Sequence, residues 1–393
     1  MSHRRIVIVG GGFAGLYTAL RLIQFPWEDA NRPEITLIDR EDHFVFSPLL
    51  YELITEEMQP WEVAPCFEEL LQDSTVRFVQ AQVESVDVQG QQVFCAGQAA
   101  IAYDYLVIAA GGVTPVLDIP GLKENAIPFK TLKDALRLKE KLRLLEQSAL
   151  DKIRVAVVGG GYSGIELACK LADRLGDRSR IRIIDRGTEI LTDSPEFNQK
   201  ASKEALEEHR IWVDYETEVT ALTENTISLK YKEEIDELPV ELVLWTVGTA
   251  IAPWILELPL PHNDRGQLTV NAQLQVNDCP NIFALGDVAK GIEKAPMTAQ
   301  VAIQQADICA WNLRALLEEK PLLAFNYFNL GEMLTLGENN ATLSGLGVEL
   351  EGNLAHLTRR LVYLYRLPTW QHQLNVGLNW MVQPLVKLLA NQD

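Results

Sequence analysis

The chain has 393 residues, 47% of them hydrophobic and 23% charged, with a formal net charge of −19. That length exceeds what a single core usually serves, so at least two domains of ordinary globular composition are expected. The acidic balance excludes nucleic acid as a general partner, because binding a phosphate backbone needs a basic surface.

The elements are read in chain order. Arg4–Val9 is a near-continuous apolar run of the buried parallel-strand type. It leads into Gly10-Gly11-Gly12-Phe13-Ala14-Gly15, which opens a helix, and a second strand, Ile35–Asp39, ends in an acid. In this fingerprint Gly10 lets the chain turn off the strand and Gly12 admits a pyrophosphate to the backbone. Gly15 lets helix and sheet pack closely, and the helix N-terminus presents free N–H groups to the phosphates. The acid about 20 residues on takes a ribose hydroxyl, here Asp39.

Tyr103–Gly112 reads as a strand ending in small residues, Ala110 and Gly111, and a charged helix covers Lys130–Gln147. The fingerprint then repeats: Ile153–Val158 enters Gly159-Gly160-Gly161-Tyr162-Ser163-Gly164, and Ile181–Asp185 supplies the second strand and its acid. Leu242–Gly248 and Asn281–Asp287 are further strands, the first ending at Gly248 and the second at Gly286-Asp287. Small residues at such ends allow close approach of a cofactor. Two fingerprints mean two dinucleotides that must meet. Asp185 favours a free 2′-hydroxyl and hence NADH, but Arg186 beside it can pair with a 2′-phosphate, so both NADH and NADPH stay open.

Gln300 and Gln304 are spaced i, i+4 and share one helical face, with Ala299 and Ala302 keeping the surface low. From Leu354 the character changes: Arg359, Arg360, Arg366 and Lys387 stand against the single acid Asp393, a net of +3. Two apolar-rich helices, Leu354–Arg366 and Leu374–Ala390, are expected there, divided at Leu367-Pro368 and kinked near Pro384. With Tyr363, Tyr365, Trp370 and Trp380 they suit a membrane surface carrying anionic headgroups, a second subunit being the other occupant. No apolar run approaches the ~20 residues of a membrane span. The first strand begins almost at once, leaving no room for a signal peptide in this sequence. The five cysteines (66, 95, 169, 279, 309) lack a C-x-x-C or metal-like spacing, so a reduced compartment and no metal are expected.

The order of the two fingerprints, the small-residue strand ends and Ala284-Leu285-Gly286-Asp287 resembles the flavoproteins with two dinucleotide-binding domains. Phe46-Ser47-Pro48-Leu49-Leu50-Tyr51-Glu52 and Ala299-Gln300-Val301-Ala302-Ile303-Gln304-Gln305 are similar to the type II NAD(P)H:quinone oxidoreductases. The tail Leu361–Trp370 continuing to Val376–Trp380 looks like the cyanobacterial and plastid branch, which includes demethylphylloquinone reductases.

The resemblance implies an α/β fold of two Rossmann-like domains, the NAD domain inserted in the FAD domain, followed by a helical membrane-docking segment. The expected parts are an FAD domain at 1–115 and 253–325, an NAD(P)H domain at 116–252 and a quinone and membrane region at 326–393. FAD lies at Gly10, Gly12, Gly15, Asp39, Ala110, Gly111 and Asp287, with Lys294–Gln305 near its ring. NAD(P)H binds at Gly159, Gly161, Gly164, Asp185 and Gly248. Glu166 lies by the two rings, or serves as a first-turn carboxylate on the helix dipole. Gln300 and Gln304 donate to the quinone carbonyls, while Pro48, Leu49 and Tyr51 cover the flavin.

The resemblance also places the enzyme on the cytoplasmic side of a thylakoid or plasma membrane, attached peripherally, with a homodimer as a further expectation. The chain lacks the redox cysteine pair of the disulfide reductases and the late cysteines of the sulfide:quinone oxidoreductases, so the electrons are expected to go to a non-protein acceptor, which the resemblance makes a quinone. The quinone is demethylphylloquinone or plastoquinone in type. The other readings are a reductase of a small iron–sulfur or haem protein, poorly served by an acidic surface if the carrier is acidic, and a non-catalytic flavin redox sensor.

Overall fold

The computed structural model describes residues 4–28, 32–115, 117–291 and 295–390, and side chains as far as Val382. Two open sheets organise it. The first runs in the order Gln275–Val276, Cys279–Ala284, Tyr105–Ile108, Arg5–Val9, Glu34–Asp39, Val76–Gln80, and only its first pair is antiparallel. The second is wholly parallel, in the order Trp212–Asp214, Ser179–Ile184, Ile153–Val158, Leu242–Trp245, Ala126–Pro128. All strands of the second sheet therefore fall, in sequence, between the two parts of the first.

Both central strands are buried on both faces: Ile6 and Val7 in the first, and Val155 and Ala156 in the second, are all buried. The helix Phe13–Gln24 packs along Ala299–Leu317, and together they close one face of the first sheet. Each fingerprint sits where a central strand of its sheet, ordered 1-2 on one side and crossing over on the other, meets its helix. Ligands of open α/β sheets bind at such switch points.

The expected helix over 130–147 is Leu132–Glu146, begun by a capping box in which Thr131 and Asp134 exchange side-chain bonds to each other's backbone N–H. The last expected strand stops at Ala284, and Gly286–Val288 is a single tight turn.

The carboxy-terminal pair comprises Gly352–Arg366 and Trp370–Ala390. The second helix starts at Trp370 and not at Leu374, because the Thr369 hydroxyl accepts the N–H of His372 at 3.3 Å and so caps it. Pro384 lies within this helix, but the expected kink and the charge of Lys387 fall beyond the described side chains, and Lys294 lies outside the described residues. Among the described residues no helix is long and apolar enough to cross a membrane.

One expectation for this pair needs correction. Arg359 does not offer its charge to headgroups. Arg359 is wholly buried in an ion pair with Glu52, and Arg360 lies over the Trp380 ring at 4.5 Å. A buried guanidinium needs a carboxylate, and the pattern of the helix could not show that one waited 307 residues earlier.

Candidate active site

The two glycine turns have matching geometry. Gly10 and Gly159 have φ of +101° and +115°, and a side-chain carbon on Gly10 would lie 2.3 Å from the Ala109 carbonyl oxygen. A carbon on Gly15 or Gly164 would lie 1.8 Å from the carbonyl oxygen of Gly10 or Gly159. By contrast, one on Gly12 or Gly161 would meet nothing within 4 Å. The outer glycines are demanded by the chain itself, and the middle ones open a space above a helix N-terminus. Such a space fits a pyrophosphate, which needs close backbone and unpaired N–H groups.

The two acids match as well. Asp39 accepts Gly11 N–H at 2.6 Å and Glu41 N–H at 2.9 Å; Asp185 accepts Gly160 N–H at 2.6 Å and Gly187 N–H at 2.7 Å. Each carboxylate is thereby locked in plane and keeps further acceptor positions for ribose hydroxyls. Beside Asp185, Arg186 is exposed and stands 3.8 Å from Glu218.

A cavity of about 230 Å³ is lined by Gly10, Gly12, Asp39, Ala110 and Gly111, with Arg40, Gln82 and Trp254. Asp287 follows at the end of the neighbouring strand. Burial raises its carboxyl above the usual range, opposed by Lys130 and by the N–H of Gly112. Its turn is held from behind, as Gly286 donates to Gln305 Oε1 at 2.6 Å and Gln267 Nε2 donates to the Asp287 carbonyl at 2.9 Å.

A second cavity, of about 510 Å³, is where the parts of the molecule converge. The second fingerprint contributes Gly161, Gly164 and Glu166, and the neighbouring strand end contributes Val247 and Gly248. Pro48 and Tyr51 come from the Ser47–Leu53 turn, Lys130 from a loop, Ala299 from the long helix and Tyr363 from the carboxy-terminal pair. Its volume lies within the range of small-molecule sites. Tyr51 donates to Ser163 Oγ at 3.0 Å, tying the first domain's turn to the second fingerprint.

Glu166 is the buried carboxyl of this cavity. Its helix begins at Tyr162, which puts Glu166 beyond the first turn, so a role on the helix dipole falls away. It accepts Thr335 N–H at 3.0 Å, and Arg359 Nη2 stands 3.9 Å away. Burial raises its carboxyl from 4.5 to about 7, although Arg359 and the Thr335 and Tyr51 hydrogen bonds pull the other way. A folded pKa above the ordinary one means that its contribution to stability is full below about 4.5 and is lost as pH rises through about 7. The loss amounts to about 3 kcal/mol at 1.36 kcal/mol per unit. Glu166→Gln therefore flattens the fall in melting temperature between pH 5 and 8 relative to the parent, measured by calorimetry on both proteins.

The glutamine pair is placed differently from the expectation. Gln300 Nε2 donates to the Gly331 carbonyl at 3.1 Å and its Oε1 accepts Leu330 N–H at 2.9 Å and the Tyr327 hydroxyl at 3.0 Å. Gln304 Nε2 donates to the Phe328 carbonyl at 2.8 Å and its Oε1 accepts Phe328 N–H at 3.0 Å. Both amides thus bind the 327–331 segment, and neither lines the large cavity, which the helix reaches through Ala299. Helical spacing correctly put them on one face but could not tell that a chain segment lies over it.

Reasoning from the sequence missed Lys130 and passed over Glu52, Arg359 and Gln305 as site residues. Only Lys130 carried a signal, standing immediately before a Thr-x-x-Asp helix start.

The family model of pyridine nucleotide-disulphide oxidoreductases matches residues 4–306. Along its full length the chain is 57% identical to the demethylphylloquinone reductase NdbB of Synechocystis sp., over 100% of this chain and 99% of that protein. The chain belongs to the type II NAD(P)H:quinone oxidoreductases. It is also 38% identical to the alternative NAD(P)H-ubiquinone oxidoreductase C1 of Arabidopsis thaliana, over 98% of this chain and 82% of the other. Among solved structures, NDH2 of Plasmodium falciparum in complex with NADH has a TM-score of 0.86 at 20% identity, covering 97% of this chain and 98% of that one. That likeness shows the fold. As an FAD flavoprotein of this family, the chain uses NAD(P)H as its reductant and a quinone as its acceptor.

Proposed function

We propose that this oxidoreductase reduces a prenylated naphthoquinone of the demethylphylloquinone type, with FAD held by the first fingerprint and NAD(P)H received at the second. The supporting observation is the single cavity in which the second fingerprint, the Ser47–Leu53 turn and Tyr363 of the carboxy-terminal pair meet. The substrate class follows that of the Synechocystis relative.

FAD bound there would supply the redox chemistry between the nicotinamide and the quinone. The chain's own residues bind, orient and exclude water. Gly10, Gly12, Gly15, Asp39, Ala110, Gly111 and Asp287 would hold FAD, and Gly159, Gly161, Gly164, Asp185 and Gly248 the nicotinamide dinucleotide. The locked carboxylate of Asp185 favours a 2′-hydroxyl, and the exposed Arg186 can meet a 2′-phosphate. Conversion of NAD(P)H and quinone to NAD(P)⁺ and quinol takes up one proton from the medium. Glu166 is the buried carboxyl placed to hold and release that proton, with a pKa matched to neutral pH. Gln300 and Gln304 fix the 327–331 segment, which leads into Met333 of the cavity wall. Comparing kcat/KM for demethylated and methylated naphthoquinones and for a plastoquinone analogue, with NADH and with NADPH, tests the assignment. A preference for the benzoquinone would refute it.

The carboxy-terminal pair is the surface by which the enzyme meets the membrane holding that quinone. Leu357, Leu361 and Tyr365 form one exposed i, i+4 stripe, and Trp370, Leu374 and Leu378 form another. With Arg359 buried on Glu52, the attachment is carried mainly by apolar area. Each half-exposed leucine contributes about 1 kcal/mol on burial. Leu357→Glu with Leu361→Glu thus weakens vesicle binding roughly 30-fold in cosedimentation, and leaves reduction by NADH intact. Unchanged binding would favour a second subunit on this face.

A further inference from the structure

Two carboxyls and one guanidinium share the buried space beside the large cavity. Glu52 and Arg359 are fully buried, and Glu166 nearly so. Arg359 pairs through Nη1 with Glu52 Oε1, while its Nη2 donates to the Pro48 carbonyl at 2.6 Å. The same Nη2 stands 3.9 Å from Glu166, outside hydrogen-bond reach. One cation cannot serve both carboxylates equally, and the geometry gives it to Glu52.

We propose that Glu52 is a positioning residue which, by claiming Arg359, keeps that guanidinium off Glu166 and so leaves Glu166 as the carboxyl that exchanges a proton with the cavity. The inference rests on the role given to Glu166 above and names what sets that role.

The surroundings of Glu166 are otherwise modest in charge. From its own helix it is faced by Tyr162 and Cys169, and from the Ser47–Leu53 turn by Tyr51 and Glu52, while Lys170 on that helix pairs with Glu57. The strand Glu332–Thr335 offers it the Thr335 N–H, and the helix Gly352–Arg366 offers Arg359 and Tyr363. Among these, Arg359 is the cation whose allegiance can change. Glu52 itself is pushed up by burial but held below its ordinary value by Arg359 and Lys170. Two like groups driven apart by their environments assign the roles of fixed charge and proton carrier.

The test is infrared titration of the oxidised holoprotein without nicotinamide or quinone, following the protonated-carboxyl band that Glu166→Gln removes. Glu52→Gln releases Arg359 toward Glu166, and the midpoint of that band falls by about 1–2 pH units. Arg359→Met removes the cation, and the midpoint rises. Glu52→Asp restores the parental midpoint. An unmoved midpoint in Glu52→Gln, or shifts of the same sign in Glu52→Gln and Arg359→Met, would overturn the proposal. If Glu52→Gln does not fold with FAD, Arg359→Met decides alone, and the absence of an upward shift refutes it. Because the band is read without turnover, the proposal can fail while Glu166 remains essential to quinone reduction, and the reverse outcome is equally visible.

Discussion

Gly15→Val is expected to yield protein without flavin. The added side chain would begin 1.8 Å from the carbonyl oxygen of Gly10 and 3.0 Å from its carbonyl carbon, atoms of the turn itself and not the tip of a flexible side chain. Relief requires the helix Phe13–Gln24 to move off the strand Arg5–Val9. That movement carries the helix N-terminus and its N–H groups away from the space above Gly12. It also disturbs the packing of this helix on Ala299–Leu317. Overpacking of this kind costs about 1–3 kcal/mol or more in stability, and the pyrophosphate site is lost with it. The ratio of flavin to protein absorbance in the purified variant measures the loss. A variant retaining full flavin content would mean that the first fingerprint does not hold FAD.

Gly164→Val produces the same clash at the second site, 1.8 Å from the Gly159 carbonyl oxygen. The expected result is different in kind. Flavin content stays near that of the parent, because the first sheet and its turn are untouched. Reduction at low NADH concentration slows, as a displacement costing about 1–3 kcal/mol lowers nicotinamide affinity roughly 5- to 150-fold. Reduction by dithionite, which needs no nucleotide site, remains normal. If Gly164→Val lost flavin and Gly15→Val lost only NADH reduction, the roles of the two fingerprints would be exchanged.

What could be read in the sequence is what the local chain dictates. The clashes at Gly15 and Gly164 arise within six residues, against Gly10 and Gly159, and the acids Asp39 and Asp185 lie one strand further on, so the fold was legible. The charged helix before the second fingerprint and the two carboxy-terminal helices were visible for the same reason. The rest depends on which distant segment lies over a given face. Gln300 and Gln304 share a face as their spacing requires, yet their amides bind the backbone of 327–331. Arg359 read as a surface charge on an amphipathic helix, but it is buried on Glu52. The environment of Glu166 is assembled from the turn at Ser47–Leu53, the strand at Glu332–Thr335 and the last helical pair. No local pattern encodes such a meeting.

The central claim is that two dinucleotides with unequal roles deliver electrons to a quinone through one cavity. Sequential stopped-flow mixing tests it most directly: anaerobic holoprotein is mixed first with NADH or NADPH, then with a short-chain naphthoquinone. The account predicts rapid bleaching of the bound flavin in the first mix and full recovery of its absorbance in the second, at a rate that depends on quinone concentration. Bleaching that no quinone reverses would contradict it.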